Sequence, residues 1–225
     1  MSSLSFNLLS LMAIIIIILL SLSFWMKSSK KLSTEKRNRN FITIRITVFL
    51  IGFVLAIISV ERGDSASHGL KIPDLIAWIV TVIMMMVFVI AMSRGAKNKS
   101  IQKVVPYLAY NHWNYSRIGI NTVTWVLYLA GYEYLLRGIL LFESVDNFGV
   151  INAVAINVVI YVLIHTPKGW LETIGSIPMG FLLCALTIGS ESVIPAILVH
   201  ASMSVSIDFF SIMNKQQMRK LRVKS

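Results

Sequence analysis

The side chains in this sequence whose types could do chemistry, Glu133, Arg137, His165, Glu172 and His200, all sit in or beside strongly apolar stretches. Glu133 and Arg137 lie four positions apart inside the run 125–141, so on a helix they share one face. An ion pair there neutralises two charges that are costly to hold away from water. His165 closes the next apolar run, because Thr166-Pro167 bars the helical conformation at the residue before proline; Lys168 and Glu172 follow directly. His200 falls in the last run, with Ser204 one turn further along the same face. Taken singly, each histidine reads as an interhelical hydrogen-bonding group. Two histidines and a glutamate in apolar segments together require a shared polar cavity. In such a cavity Glu and His can deprotonate a water and stabilise the resulting oxyanion, or hold a divalent metal that acidifies that water. Hydrolysis is the natural reaction.

The elements that must position these groups are membrane-spanning helices. Of the 225 residues, 56% are hydrophobic and 14% charged, with mean hydropathy +0.75, which excludes an ordinary water-soluble domain. Apolar runs long enough for a hydrocarbon core of about 30 Å occur at 6–26, 41–60, 74–92, 118–142, 149–165, 174–189 and 193–213. The expectation is an all-α bundle of about seven spans, with six to eight as the range, since two runs are short and the amphipathic stretch 101–116 is suited to an extra surface helix. The first run lacks the basic flank and cleavage site of a signal peptide and reads as a retained helix. Arg45, near one end of the second run, reads as a side chain snorkelling to the interface. Asp208, in the last run, is compatible with either a structural or a functional role.

Net charge is +11, and the positions of the basic residues decide what it means. With the N-terminus outside, the inner segments 27–40, 94–117, 166–173 and 214–225 hold 17 of the 21 Lys and Arg residues, whereas the outer loops hold Arg62 and Lys71. This is the asymmetry of a multi-pass protein with basic cytoplasmic loops, and it excludes a nucleic-acid role. It predicts a cell-membrane protein with its C-terminus in the cytoplasm. The single cysteine, Cys184, can form no intrachain disulfide. The sequence contains no Walker motif, dinucleotide fingerprint or His-Glu-x-x-His zinc helix.

The same residues resemble the CAAX prenyl endopeptidase and bacteriocin-processing family of intramembrane proteases, often called the CPBP or Abi family. Its pattern of Glu-Glu-x-x-x-Arg-Gly, an aromatic three residues before His, and His-x-x-x-Asn is similar to Tyr132-Glu133-x-x-x-Arg137-Gly138, Tyr161-x-x-x-His165 and His200-x-x-x-Ser204 here. The resemblance covers about residues 118–210, leaving 1–117 as anchoring helices and basic loops of one membrane domain, 1–225. Two positions depart from the pattern: Tyr132 stands where the family has its first glutamate, and Ser204 where it has asparagine. A tyrosine, with a reference pKa of about 10, cannot act as a carboxylate base near neutral pH. Some members resemble His165-Thr166-Pro167-Lys168-x-x-x-Glu172 in the second motif, which makes Glu172 the candidate for the missing carboxylate.

The resemblance implies an intramembrane endopeptidase hydrolysing a peptide bond of a membrane-associated peptide or protein. Glu133, His165, Glu172 and His200 are its expected catalytic residues, supported by Arg137, Ser204 and Tyr132. In this reading Glu133 and Glu172 share water activation, His165 orients the water, and His200 with Ser204 stabilises the oxyanion. A divalent metal such as zinc, held by Glu133, His165, Glu172 and His200, is an open option. The span positions set a difficulty, since His165 and Glu172 fall near a membrane edge and Glu133 and His200 about 10–15 Å deeper. The alternative is a catalytically inactive member that binds a membrane peptide as an immunity or scaffold protein. A proton-coupled transporter would use the same buried groups, but the sequence shows no inverted repeat.

Overall fold

A computed structural model describes residues 2–63 and 68–224, with side chains over 15–63 and 68–215. Asp64, the side chains at the start of the first run and those of the basic tail from 216 onward fall outside the described residues. The described elements are helical throughout: α1 (Ser2–Ser29), α2 (Thr34–Glu61), α3 (Leu75–Gly95), α4 (Lys99–Val104), α5 (Tyr115–Glu133), a π-helical segment (Tyr134–Leu141), α6 (Phe142–His165), a short 3-10 turn (Thr166–Lys168), α7 (Trp170–Ser190) and α8 (Ile194–Lys224). All seven expected runs coincide with helices, as an all-α, multi-pass integral membrane protein requires. The outer surface is covered with large apolar side chains, among them Phe53, Ile79, Met86, Ile151 and Phe181, which face lipid.

Start and stop signals are local. Asp74 and Asn114 cap α3 and α5 by accepting the backbone N–H of Ala77 at 2.7 Å and of Arg117 at 2.9 Å. The helical stretch from Tyr115 to Lys168 is 54 residues long, about 80 Å if straight and more than twice the hydrocarbon thickness. It turns at Gly149, whose φ of 76° and ψ of 162° break the helix at a conformation open to glycine. The amphipathic stretch expected over 101–116 is helical only as far as Val104, because Pro106 ends it; residues 105–114 then run as coil.

Two contacts fix where the polar residues lie. Gly52 of α2 and Gly131 of α5 meet so closely that a Cβ on Gly131 would stand 2.5 Å from the Val48 carbonyl oxygen and 2.7 Å from the Phe49 Cα. Small residues at a helix crossing permit backbone approach in a membrane, and here the crossing sits one residue before Tyr132 and Glu133. Beyond it the chain widens into the π-helical segment, every residue of which is buried. Such segments re-aim side chains and leave carbonyls short of partners. Asn157 of α6 donates to the Leu136 carbonyl at 2.6 Å and so satisfies one of them.

The end of the bundle away from the basic loops is closed. Val193 donates to the Gly69 carbonyl at 2.9 Å, Ser192 Oγ to the Lys71 carbonyl at 2.6 Å, and Lys71 pairs with Glu191 at 2.6 Å. The Lys71 ammonium holds the exposed Glu191 carboxyl below the usual carboxylate range. Nearby, His68 bridges Ser59 at 3.0 Å and Glu143 at 2.8 Å.

Arg45 differs from its expected place. It is fully buried, because α2 begins at Thr34 and so sets Arg45 about three turns into the helix instead of one. Its Nη1 donates to Asn121 Oδ1 at 3.0 Å and Thr124 Oγ1 at 2.9 Å, and its guanidinium lies 4.1 Å from the Trp125 ring centroid. Asn121 and Trp125 in turn donate to Asp208 Oδ2 at 3.0 and 2.8 Å. The snorkelling reading is therefore wrong: Arg45 is the cation of an interior polar network that joins α2, α5 and α8.

Candidate active site

A cavity of about 510 Å³ penetrates the bundle from its basic end, between α4, α5, α6, α7 and α8. Tyr132, His165, Lys168, Glu172, His200 and Ser204 line it, as do Tyr107, Trp125, Tyr161 and Asp208. Both motif histidines line this one cavity. Their rings flank Tyr161, with centroids 4.3 Å (His165) and 6.1 Å (His200) from its own.

Glu133 lies behind this cavity, not on its wall. It is fully buried, and its Oε1 accepts a 2.6 Å hydrogen bond from His200 Nδ1. Its other oxygen, Oε2, stands 3.1 Å from Arg137 Nη1, close enough for an ion pair, although the N–H is not aligned on the oxygen as a hydrogen bond. Arg137 packs 4.3 Å from the Tyr161 ring centroid, so its charge is offset by Glu133 and by the face of an aromatic ring. Sequence spacing did pair Glu133 with Arg137, but it put Glu133 on the cavity together with His200, and of the two only His200 lines it.

His200 is held by this arrangement in one tautomer. A carboxylate can only accept, so Nδ1 carries the proton and Nε2 is left as the acceptor nitrogen of the neutral ring. His165 has the same tautomer for a different reason: its Nδ1 donates to the Tyr161 carbonyl at 2.8 Å. Its Nε2 meets Lys168 Nζ at 3.1 Å.

Glu172 also differs from expectation. It faces the cavity, but its Oε1 accepts from the Tyr107 hydroxyl at 2.6 Å, not from His165. The reason is that the coil after Pro106 lays Tyr107 across the cavity's basic end. Burial, and then the Glu172 carboxylate, push the Tyr107 phenol well above its usual range, so it stays protonated and donates. Lys30 lies 4.8 Å from the Tyr107 ring centroid; burial lowers its ammonium pKa, and the Glu172 carboxylate partly opposes that. Residues before 118 thus contribute to the site through Tyr107 and Lys30 as well as anchoring it.

These contacts bear on the metal option. Among the described residues no three of His, Cys, Asp and Glu are grouped to hold an ion. Both Glu133 oxygens are engaged by His200 and Arg137, Glu172 by Tyr107, and the acceptor nitrogen of His165 faces an ammonium. The four expected ligands do not fit a metal in this arrangement.

Tyr132, which replaces the first motif glutamate, is buried and stacks on Tyr128 with ring centroids 5.5 Å apart. Ser204 lines the cavity one turn beyond His200. Asp208 continues the same face of α8, so the wall reads His200, Ser204, Asp208 at helical spacing. Sequence reasoning left Asp208 undecided and missed Asn121, Trp125 and Tyr107. The signal for the first two was the polar Asn121 and Thr124 beside Trp125 within an apolar span; for Tyr107 there was none.

Comparison with known proteins agrees with the motif reading. A search of curated proteins and one of solved structures each found no match. Residues 114–206 match the family model described as Rce1-like, type II CAAX prenyl endopeptidase. That segment carries all three motifs, the π-helical segment and both motif histidines, so over this part the chain is similar to the type II CAAX prenyl endopeptidases.

Proposed function

We propose that this protein is an intramembrane endopeptidase in which His200, held and polarised by Glu133, draws the proton from a water in the cavity. The observation that carries the reading is the 2.6 Å hydrogen bond from His200 Nδ1 to the buried Glu133, made by a histidine that also lines the cavity. A carboxylate behind an imidazole fixes its tautomer and stabilises the imidazolium that forms when Nε2 takes a proton, as in carboxylate–histidine pairs elsewhere. Arg137 pairs with Glu133 and holds it in place. The hydroxide so formed attacks the scissile carbonyl carbon; the C–O bond forms as the carbonyl π pair moves onto oxygen. In this reading Ser204, which lines the same cavity, donates to that oxygen. The C–N bond then breaks, and the leaving nitrogen takes a proton from the His200 imidazolium. Carboxylate and amine products are released and His200 returns to neutrality.

The missing first glutamate is compatible with this scheme, because the base is the imidazole and Glu133 alone supports it. Glu172, bonded to Tyr107 at the mouth, serves substrate binding in this reading. The substrate is a membrane-associated peptide entering from the basic end, and the family match makes a prenylated CAAX peptide the first probe. A second reading, a non-catalytic peptide-binding member, draws on Tyr132, which leaves the first motif without its carboxylate. Protein reconstituted in liposomes with such a peptide separates the two. Cleavage by the parent, abolished in His200→Ala and reduced about 10²- to 10⁴-fold in Glu133→Gln, supports the enzyme. Photo-crosslinking of intact peptide to cavity residues, with no cleavage, supports the binder.

A further inference from the structure

Two histidines line one cavity in the same tautomer, yet their partners are opposite. His200 has a carboxylate behind it and an open Nε2, whereas His165 has a carbonyl behind it and an ammonium on its Nε2. Lys168 must donate in that contact, so the acceptor lone pair of His165 is occupied and the ring offers neither a base nor a donor to a ligand. Positive charge on this wall of the cavity therefore comes from Lys168. Its ammonium has three N–H donors; one is given to His165, and Lys168 itself lines the cavity. Thr166-Pro167 and the 3-10 turn fix the backbone on which it stands, and Pro167 is buried.

We infer that Lys168 is a catalytic cation whose remaining N–H groups meet the carbonyl oxygen of the scissile peptide as it becomes an oxyanion, and that His165 is a positioning residue that aims it. The inference rests on the endopeptidase reading and assigns the electrophilic side of the same reaction. In the attack step the electron pair displaced from the carbonyl π bond collects on an oxygen faced by the Lys168 ammonium and Ser204. No proton need leave Lys168: it stabilises charge in the transition state and is unchanged at the end. An ammonium in a water-poor cavity is suited to this, because a charge-assisted hydrogen bond is about twice as strong as a neutral one. Glu172 follows Lys168 by four residues, and its carboxylate partly offsets the cost of holding the ammonium without capping it by a hydrogen bond, since Glu172 accepts from Tyr107 instead. The same cation could serve a substrate's carboxylate in the ground state; binding of that kind would alter KM and leave kcat alone.

The test uses the full-length protein in liposomes with a cleavable membrane-anchored peptide. Lys168→Gln retains a donor to His165 and most of the side-chain length, so it should accumulate like the parent, with kcat reduced about 10²- to 10³-fold and KM within about threefold. Lys168→Arg restores charge and should recover part of kcat. Ethylammonium added to Lys168→Ala should restore activity in a saturable way, which a merely structural lysine would not show. A Lys168→Gln protein with parental kcat, or one whose loss lies wholly in KM, would overturn the assignment while leaving the endopeptidase reading intact. Absence of cleavage by the parent itself would instead defeat the reading on which this one rests.

Discussion

Replacing Arg137 with methionine removes the cation from a pair in which both side chains are fully buried, and it strands the Glu133 carboxylate. At the observed 3.1 Å, with an effective dielectric constant near 20, the attraction lost is about 5 kcal/mol. Breaking one side of a buried pair costs about 3–5 kcal/mol in practice, because the survivor has no compensating charge. Against a typical total stability of about 5–15 kcal/mol, that is enough to lower yield as well as activity. For a chain of this length the corresponding fall in Tm is roughly 6–20 °C, at about 2–4 °C per kcal/mol. Glu133→Gln should do comparable damage by stranding Arg137, although the amide oxygen can still accept from His200. The double variant Glu133→Gln with Arg137→Met leaves no uncompensated charge and should be more stable than either single variant, a coupling of at least about 2 kcal/mol. Tryptophan-fluorescence melting in detergent, using the chain's 5 Trp residues, reads all four corners of the cycle. Additive effects, or an Arg137→Met protein that melts with the parent, would refute the claim that the pair is held by charge.

Other outcomes follow from the same contacts. Gly131→Ala forces a Cβ into the backbone of α2 and should cost about 1–3 kcal/mol with reduced yield, whereas Gly119→Ala, which meets nothing within 4 Å, should be neutral or slightly stabilising on melting. Arg45→Met leaves Asp208 buried beside Asn121 and Trp125 without a cation and should destabilise by about 3–5 kcal/mol, with recovery in the double variant that also carries Asp208→Asn; equal melting of Arg45→Met and the parent would remove the network from the fold. In a protein lacking Cys184, single cysteines at positions 31 and 215 should both label from the cytoplasmic side, and labelling from opposite faces would contradict an odd number of crossings.

What the sequence made legible was periodic or paired. Long apolar runs located each of the seven long helices among the described residues, and the four-residue spacing of Glu133 and Arg137 survived even a π-helical segment because both charges must be matched in a dry interior. The histidines were recognisable because an imidazole in an apolar run is costly without a cavity. Arg45 was misread because hydropathy alone started α2 seven residues late, hiding two turns of polar but helical sequence. Glu172 was assigned to His165 by proximity in sequence, whereas its partner Tyr107 comes from a coil 65 residues earlier, an arrangement only tertiary packing reveals. The place of Glu133 behind His200 was likewise invisible, since the side of a helix that meets a cavity depends on how α5 and α8 rotate against each other.

The central claim is that His200, supported by Glu133, activates water for peptide hydrolysis inside the membrane. It is tested most directly by running the liposome reaction in water enriched in oxygen-18 and reading the products by mass spectrometry. The account predicts a new C-terminal carboxylate carrying one solvent oxygen from the parent protein and none from a folded His200→Ala protein, whose stability falls only by the hydrogen bond lost to Glu133, about 1–3 kcal/mol. A well-folded parent that yields no labelled product from any membrane-anchored peptide, or a His200→Ala protein that labels at the parental rate, would contradict it.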